Sequence, residues 1–85
     1  MINRAKLSFN ELVEINNLLL ENGIKRKVKN IKVSQMPIVS NNNILYRTVC
    51  EFISDIRNVK IDIVSKNQFD VALLQHQLDL SFRSY

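Results

Sequence analysis

The stretch LSFNELVEINNLLLENG, residues 7–23, carries the signals for one amphipathic helix and for both of its ends. Ser8 is a strong N-cap residue, and Glu11, three positions later, completes a capping box. Apolar side chains then recur at helical spacing, at Leu12, Ile15, Leu18 and Leu19. Gly23 stands where a left-handed C-cap belongs. The stretch therefore predicts a helix over residues 9–22.

A strongly basic segment, IKRKVKNIKV at residues 24–33, follows this helix directly. Its five bases, with no acid among them, are Lys25, Arg26, Lys27, Lys29 and Lys32. The apolar residues change parity between Val28 and Ile31, which indicates a β-bulge near Lys29-Asn30. The segment predicts a strand or an irregular hairpin arm.

The middle of the chain contains a proline, an asparagine turn and a long apolar stretch. We expect Met36-Pro37 to interrupt regular structure, because proline cannot donate to a ladder. Residues 38–40 are expected to form a short edge strand, and the NNN sequence at 41–43 a turn. A second helix is predicted over residues 44–57, because apolar side chains share one helical face there, at Leu45, Val49, Phe52, Ile53 and Ile56.

The last third begins with an alternating segment, VKIDIV at residues 59–64, which predicts a half-buried strand. Ser65 resembles Ser8 in its surroundings and predicts the N-cap of a third helix over residues 66–77. The tail LDLSFRSY at residues 78–85 alternates apolar and polar side chains over Leu78 to Arg83, so a final strand is predicted there.

These elements predict a small α+β protein in which residues 1–85 form a single domain. Three helices are expected to pack on a short mixed sheet of three to four strands, because helices separate most of the predicted strands. Apolar residues make up 46% of the chain, which is typical of a folded protein. A core this small leaves homodimerisation open as a source of further stability.

The net charge of +4 is concentrated in the middle of the chain. Residues 1–21 hold two bases against three acids, and residues 51–85 hold four bases against five acids. Residues 22–50 hold six bases and no acid, a local charge of +6. This asymmetry indicates that the middle of the chain meets something anionic.

Residue types with catalytic chemistry are sparse. Cys50 and His76 are the only candidates for a thiolate pair, and Cys50 falls at a position that suits ordinary packing. The remaining acids, Asp62, Asp70 and Asp79 among them, lack metal-ligand spacing. One glycine cannot build a phosphate-binding loop. We therefore expect no catalytic residue, no metal and no cofactor, and a protein that is not an enzyme.

The cellular compartment is indicated by cysteine usage and by hydropathy. A single cysteine and the lack of an apolar leader after Met1 favour the reducing cytoplasm. The longest apolar runs, such as LLL at 18–20, are far shorter than a membrane span.

The basic segment supports two functional hypotheses beside simple protection of a strand edge by lysine. The first is RNA binding, with phosphate contacts from Lys25, Arg26, Lys27, Lys29 and Lys32 and an extension of the surface to Arg47. Residues 24–33 contain no aromatic side chain for stacking, so backbone contacts with little sequence preference are expected. The alternative is a protein adaptor or inhibitor whose basic edge strand docks an acidic partner without nucleic acid.

The short chain, its bias toward asparagine, isoleucine and lysine, and its local basic block resemble the small accessory and anti-defence proteins of T-even-type bacteriophages. These include toxin-inhibitory factors that antagonise ToxN-type endoribonuclease toxins. The resemblance implies an RNA-associated, antitoxin-like inhibitor that meets a host toxin or defence protein in the host cytoplasm. It assigns no site residues.

Overall fold

Two helices and a three-stranded antiparallel sheet make up the fold in the computed structural model, which describes residues 4–84. The elements are α1 (Phe9–Glu21), β1 (Asn30–Ser40), β2 (Asn43–Ile53), β3 (Asn58–Ser65) and α2 (Val71–Phe82). The strands form a meander in which β2 is central and β1 and β3 are edges. The predicted α+β class is confirmed. The predicted third helix and mixed sheet are wrong, because two helices are present within the described part of the chain and both strand pairs are antiparallel.

The first predicted helix is confirmed as α1, with both of its end signals. The Ser8 hydroxyl accepts from the Glu11 N–H at 3.2 Å, and the Glu11 carboxylate accepts from the Ser8 N–H at 2.8 Å. Gly23 has φ +72°, and the N–H of Ile24 reaches back to the Leu19 carbonyl at 3.0 Å. These are the bonds of a Schellman motif, which turns the chain sharply out of the helix.

The predicted asparagine turn is confirmed and joins β1 to β2. Asn41 and Asn42 have φ values of 47° and 65°, which a two-residue hairpin loop requires and asparagine tolerates. At the other end of the hairpin, the Lys29 N–H donates to the Ile53 carbonyl at 2.8 Å, although Asn30 is the residue paired with Ile53. Two residues thus lie opposite one, which is the arrangement of the predicted bulge.

The helix predicted over residues 44–57 is wrong, because β2 occupies most of that stretch. Its buried residues follow a period of two, at Thr48, Cys50 and Phe52. The helix was predicted from the spacing of the large apolar residues alone. Thr48 and Cys50, which are small or polar, also point into the core, and their positions fit a strand. β-Branched and aromatic residues are frequent in this stretch, and they favour strand.

The predicted interruption at Met36-Pro37 is also wrong, since β1 runs through it. The Ile31 carbonyl accepts from the Gln75 amide, and the Ile31 N–H donates to the Asn30 side chain. The backbone groups of Ile31 therefore face the open edge of the sheet, and so do those of every second residue after it. Pro37 is one of these, so the N–H that it lacks is not needed in the ladder with β2.

The half-buried strand predicted over residues 59–64 is confirmed as β3, but the end of the chain differs from prediction. The second helix begins at the N-cap Asp70 rather than at Ser65. It continues through the residues that were predicted as a final strand. Its buried side chains are four residues apart, at Leu74, Leu78 and Phe82.

Both helices cover the same face of the sheet, and the core lies between the two layers. The rings of Phe52 on β2 and Phe82 on α2 meet edge to face, with centroids 5.9 Å apart. Ile31 and Val59 flank Phe52 on the neighbouring strands, and all three are buried. The alternate side chains of each strand, such as Lys32, Glu51 and Lys60, point to the opposite face of the sheet, which the helices leave uncovered.

Two glutamine side chains hold backbone segments in place. The Gln35 amide donates to the Phe69 carbonyl at 3.1 Å and accepts from the Phe69 N–H at 2.7 Å. Gln77 does the same for Leu7, at 3.1 and 2.7 Å. Each glutamine thus acts as a substitute strand partner for one residue, which satisfies buried backbone groups outside the sheet. The chain entry to each helix is fixed in this way.

Candidate nucleic-acid interface

Residues 24–29 form a turn between α1 and β1, so of the strand or irregular hairpin arm predicted over residues 24–33 only residues 30–33 lie in a strand, as the start of β1. The side chains of Ile24 and Val28 are fully buried, and the Lys27 N–H closes the turn onto the Ile24 carbonyl at 2.9 Å. Burial of each anchor contributes about 1.5–3 kcal/mol. Repulsion between two exposed amines is about 1 kcal/mol at 4 Å in water. The anchors therefore hold the loop against the repulsion of its own charges.

The three central bases of this loop stand beside the anchors. Arg26 and Lys27 are exposed and Lys25 is half-buried. None of the three forms an ion pair with another residue of the described chain. Their charge is therefore available to an external anion.

The end of the loop is bonded to two other parts of the molecule. The Val28 carbonyl accepts from the Ser84 N–H, and the Lys29 N–H donates to the Ile53 carbonyl, both at 2.8 Å. The loop is thereby joined to the end of β2 and to the chain that leaves α2. Its bases are presented from a fixed backbone.

The loop between β2 and β3, residues 54–57, lies next to it. The Ser54 hydroxyl organises this loop by accepting from the Arg57 N–H at 3.1 Å and donating to the Arg57 carbonyl at 2.6 Å. Asp55 forms an ion pair with Lys29 at 2.5 Å, and both side chains are mostly exposed. Such a pair is worth at most about 1 kcal/mol. Exposed Arg57 adds a further base here.

We call these two loops, residues 24–29 and 54–57, the basic end of the molecule. They carry five bases and one acid, a formal charge of +4. The whole chain also has a formal charge of +4, from 12 bases and 8 acids. The remaining seven bases and seven acids cancel. All of the excess positive charge therefore lies at one end of the molecule.

The other two predicted contact residues lie on the uncovered face of the sheet. Lys32 on β1 is opposite Glu51, which is itself opposite Lys60. Arg47 on β2 forms an ion pair with Asp62. It lies four residues along the sheet from Lys32, a distance of about 13 Å. The structure thus brings together Lys25, Arg26, Lys27 and Lys29, but it does not bring Lys32 or Arg47 into the same cluster.

The structure adds one arginine to the basic end, Arg57, and places a second, Arg83, beside it; sequence reasoning missed both. Arg57 enters through the hairpin between β2 and β3, and the Arg83 side chain donates to the Lys29 carbonyl at 3.1 Å. The predicted helix over residues 44–57 concealed the proximity of Arg57. The alternation along β2, followed by the turn residues Ser54 and Asp55, was the signal that could have revealed it.

The candidate catalytic groups are not brought together. Cys50 is fully buried on the inner face of β2, whereas His76 lies on the exposed side of α2. Burial, together with the smaller effect of the Asp62 carboxylate, raises the pKa of the Cys50 thiol to about 11, so the thiol is protonated at neutral pH. No group of three or more metal-ligating side chains occurs within residues 4–84.

Comparison of the chain with protein-family models, with curated proteins and with solved structures finds no match. In the described range, neither helix is long and apolar enough to cross a membrane.

Proposed function

We propose that this protein is a small non-enzymatic RNA-binding protein whose basic end contacts the phosphate backbone. The observation that supports the proposal is the location of all excess charge in two adjacent loops that are fixed by buried anchors and backbone hydrogen bonds. A preformed basic surface binds phosphates without a large ordering cost. The protein acts by binding RNA and blocking access to it, and it catalyses no reaction.

The surroundings of the basic end favour RNA backbone over a sequence read from duplex DNA. Neither α1 nor α2 contains a lysine or an arginine, so neither helix presents the basic surface of a recognition helix. The two basic loops contain no aromatic residue that could stack on bases. Loops that reach phosphates from the side suit the irregular backbone of structured RNA. Contacts of this kind give little sequence preference.

The proposal extends to inhibition of a host defence endoribonuclease, on the strength of the chain's resemblance to phage anti-defence proteins. An RNA-binding inhibitor can block such a toxin in two ways. It can bind the RNA that the toxin recognises, or it can bind at the contact between the toxin and that RNA. Co-expression with a ToxN-type endoribonuclease in a bacterial host tests this extension. We expect the wild-type protein to restore growth, and a variant without RNA binding to fail.

The main experiment measures binding of a fluorescently labelled RNA hairpin by anisotropy at 50 mM salt. In the Arg26→Ala/Lys27→Ala variant, the loss of two phosphate contacts should weaken binding on the order of a hundredfold. The control is Lys6→Ala/Lys66→Ala, which lowers the net charge by the same two units. Both control residues are exposed and lie away from the basic end. The control should bind within about twofold of wild type.

Two results would contradict the RNA proposal. Equal weakening by both double variants would mean that net charge, and not the basic end, drives binding. Polyglutamate and unlabelled RNA can be compared as competitors at the same concentration of negative charge. If polyglutamate displaces the labelled RNA as effectively as unlabelled RNA does, an acidic protein partner is favoured instead. A pull-down repeated after nuclease treatment distinguishes the same two cases inside cells.

A further inference from the structure

A cleft of about 410 Å³ lies between the two loops of the basic end. Sites for small molecules span about 300–1,000 Å³, so this cleft takes one small group rather than a length of double helix. It is lined by side chains from both loops and from the chain that leaves α2: Arg26, Lys27, Lys29, Asp55, Ile56 and Ser84.

The lining of the cleft carries an excess of positive charge. Three bases and one acid give a formal charge of +2. Asp55 forms an ion pair with Lys29, whereas Arg26 and Lys27 form none with the described part of the chain. The excess charge of the cleft is therefore carried by Arg26 and Lys27. A nucleotide within a strand is flanked by two phosphates of one negative charge each, which matches this excess.

Ile56 adds an apolar surface to the same cleft. The side chain was expected on the apolar face of a helix, but it lies in the 54–57 loop and is 51% exposed. Its position is fixed, because its N–H donates to the Ser54 hydroxyl at 3.2 Å. The methylene stems of Lys27 and Lys29 extend the apolar lining. Phosphate binding alone requires no apolar residue here, so the lining suits an anion that is joined to an apolar group.

We propose that the cleft binds one unpaired nucleotide of the RNA, with its base packed on Ile56 and its flanking phosphates on Arg26 and Lys27. This binding mode rests on the proposed RNA binding and names the feature of RNA that the basic end selects. The nucleotide must be unpaired, because a base inside a duplex is stacked between its neighbours and cannot enter a protein cleft. Ile56 packs on the face of a base and does not bond to its edge. The site therefore distinguishes unpaired from paired nucleotides, but not one base from another.

The charges of the cleft set the orientation of the nucleotide. Asp55 is adjacent to Ile56, and its carboxylate repels phosphate. The base therefore lies toward the 54–57 loop and the phosphates toward residues 24–29. A free nucleoside monophosphate offers the same base and phosphate. A strand also reaches Lys25 and Arg57, which do not line the cleft, and so RNA should bind more tightly.

Two RNA hairpins with one bulged nucleotide test the proposal. One has adenine at the bulge and the other has an abasic ribose, so they carry equal numbers of phosphates and differ in the base alone. In fluorescence anisotropy, wild type should bind the adenine bulge about tenfold more tightly, because the base and Ile56 bury apolar surface against each other. A hairpin without a bulge should bind within about twofold of the abasic one.

Two serine variants locate the contact. In Ile56→Ser, the adenine bulge should bind about tenfold more weakly, at the affinity of the abasic bulge, since the phosphate contacts remain. The control is Ile44→Ser, the same substitution at a side chain that is 56% exposed. Ile44 lies beside the turn between β1 and β2, at the opposite end of the sheet from the basic end. This control should keep the preference of wild type.

Nuclear magnetic resonance of wild type gives a measurement that needs no variant. Adenosine monophosphate should shift the methyl signals of Ile56 and the amide signals of Arg26 and Lys27. Ribose 5-phosphate should shift the two amide signals alone. Ile56 methyl signals that do not move with adenosine monophosphate would overturn the proposal.

The other outcomes separate this site from RNA binding in general. Equal binding of the adenine and abasic hairpins by wild type would overturn the nucleotide site; weakening of both by Arg26→Ala/Lys27→Ala would still support RNA binding by the basic end. The same preference in both serine variants, whether kept or lost, would overturn the role of Ile56. Displacement of the hairpin by an equal concentration of adenosine monophosphate would make a free nucleotide the ligand and overturn the assignment to RNA. Failure to bind any of the hairpins would overturn both proposals.

Discussion

Removal of the Gln35 amide tests whether a single side chain holds the chain entry to α2. The amide makes two hydrogen bonds to the backbone of Phe69, and its oxygen also lies 3.3 Å from the Thr48 hydroxyl. Phe69 is 2% exposed and Thr48 is fully buried. In a Gln35→Leu variant these three groups lose their partner, and the leucine cannot replace it.

The expected loss is worked from these three bonds. A hydrogen bond contributes about 1 kcal/mol net, and a buried group left without a partner costs about 1–3 kcal/mol. Additional apolar burial by the leucine returns about 1 kcal/mol. We therefore expect the free energy of unfolding to fall by about 2–4 kcal/mol, a large part of the stability of a domain this small. In urea the midpoint should fall by about 2 M.

Urea unfolding followed by circular dichroism measures this loss, and hydrogen exchange locates it. The Phe69 amide proton should exchange faster in the Gln35→Leu variant than in wild type, and this acceleration should exceed that of amides at the centre of β2. The control is Gln68→Leu, because the backbone carbonyl of Gln68, and not its side chain, bonds to Arg4. The Gln68→Leu control should unfold like wild type. If the urea midpoint of Gln35→Leu also stays within about 0.3 M of wild type, instead of falling by about 2 M, the role given to Gln35 is refuted.

Three further predictions concern a helix cap at each end of α1 and one buried thiol. Gly23→Ala should lower the free energy of unfolding, measured in urea, by about 0.5–1 kcal/mol, because the left-handed backbone at this position strains alanine. The added Cβ meets no atom within 4 Å, so no steric clash contributes. A gain in stability would contradict the observed C-cap. Ser8→Ala should cost about 1 kcal/mol by the same assay, and no change would mean that the capping box is dispensable. The Cys50 pKa is raised from 9.0 to about 11, so its stabilising contribution is present below pH 9 and is lost as pH rises toward 11. Wild type should lose about 2 kcal/mol between pH 8 and pH 10.5 relative to Cys50→Ala, and a constant difference between the two would contradict burial of the thiol.

Local signals predicted the parts of the fold that local physics controls. The capping box, the left-handed Gly23 and the asparagine turn each depend on a few neighbouring residues. The alternation of β3 likewise reports one half-buried strand. These elements were predicted correctly because nothing distant was needed to form them.

The elements that were predicted wrongly are those in which two local patterns competed. In residues 44–57 the large apolar residues satisfy a helical face, and only the burial of Thr48 and Cys50 distinguishes the strand. At the end of the chain, both Ser65 and Asp70 are good N-caps. Tertiary structure selected Asp70, because Ser65 is paired with Tyr46 in β3 and the backbone of Phe69 is bonded to the Gln35 side chain, so neither residue can belong to a helix.

The candidate site was predictable only in its contiguous part. The bases of residues 24–29 adjoin one another in the chain, and so they remain together in the fold. Arg57 joins them through the strand register, which pairs Asn58 with Ile53 beside the start of β1. Lys32 was grouped with these bases because it is close to them in the sequence. In the fold it lies on β1, and its side chain points to the uncovered face of the sheet, away from the basic end.

The dependence of RNA affinity on salt tests the basic end most directly. With about four phosphate contacts, a log–log plot of affinity against salt should have a slope of roughly −3 to −4, or about a hundredfold loss between 50 and 200 mM. In Arg26→Ala/Lys27→Ala the slope should become shallower by about 2, while Lys6→Ala/Lys66→Ala keeps the wild-type slope. The same slope in all three proteins would contradict phosphate binding by the basic end.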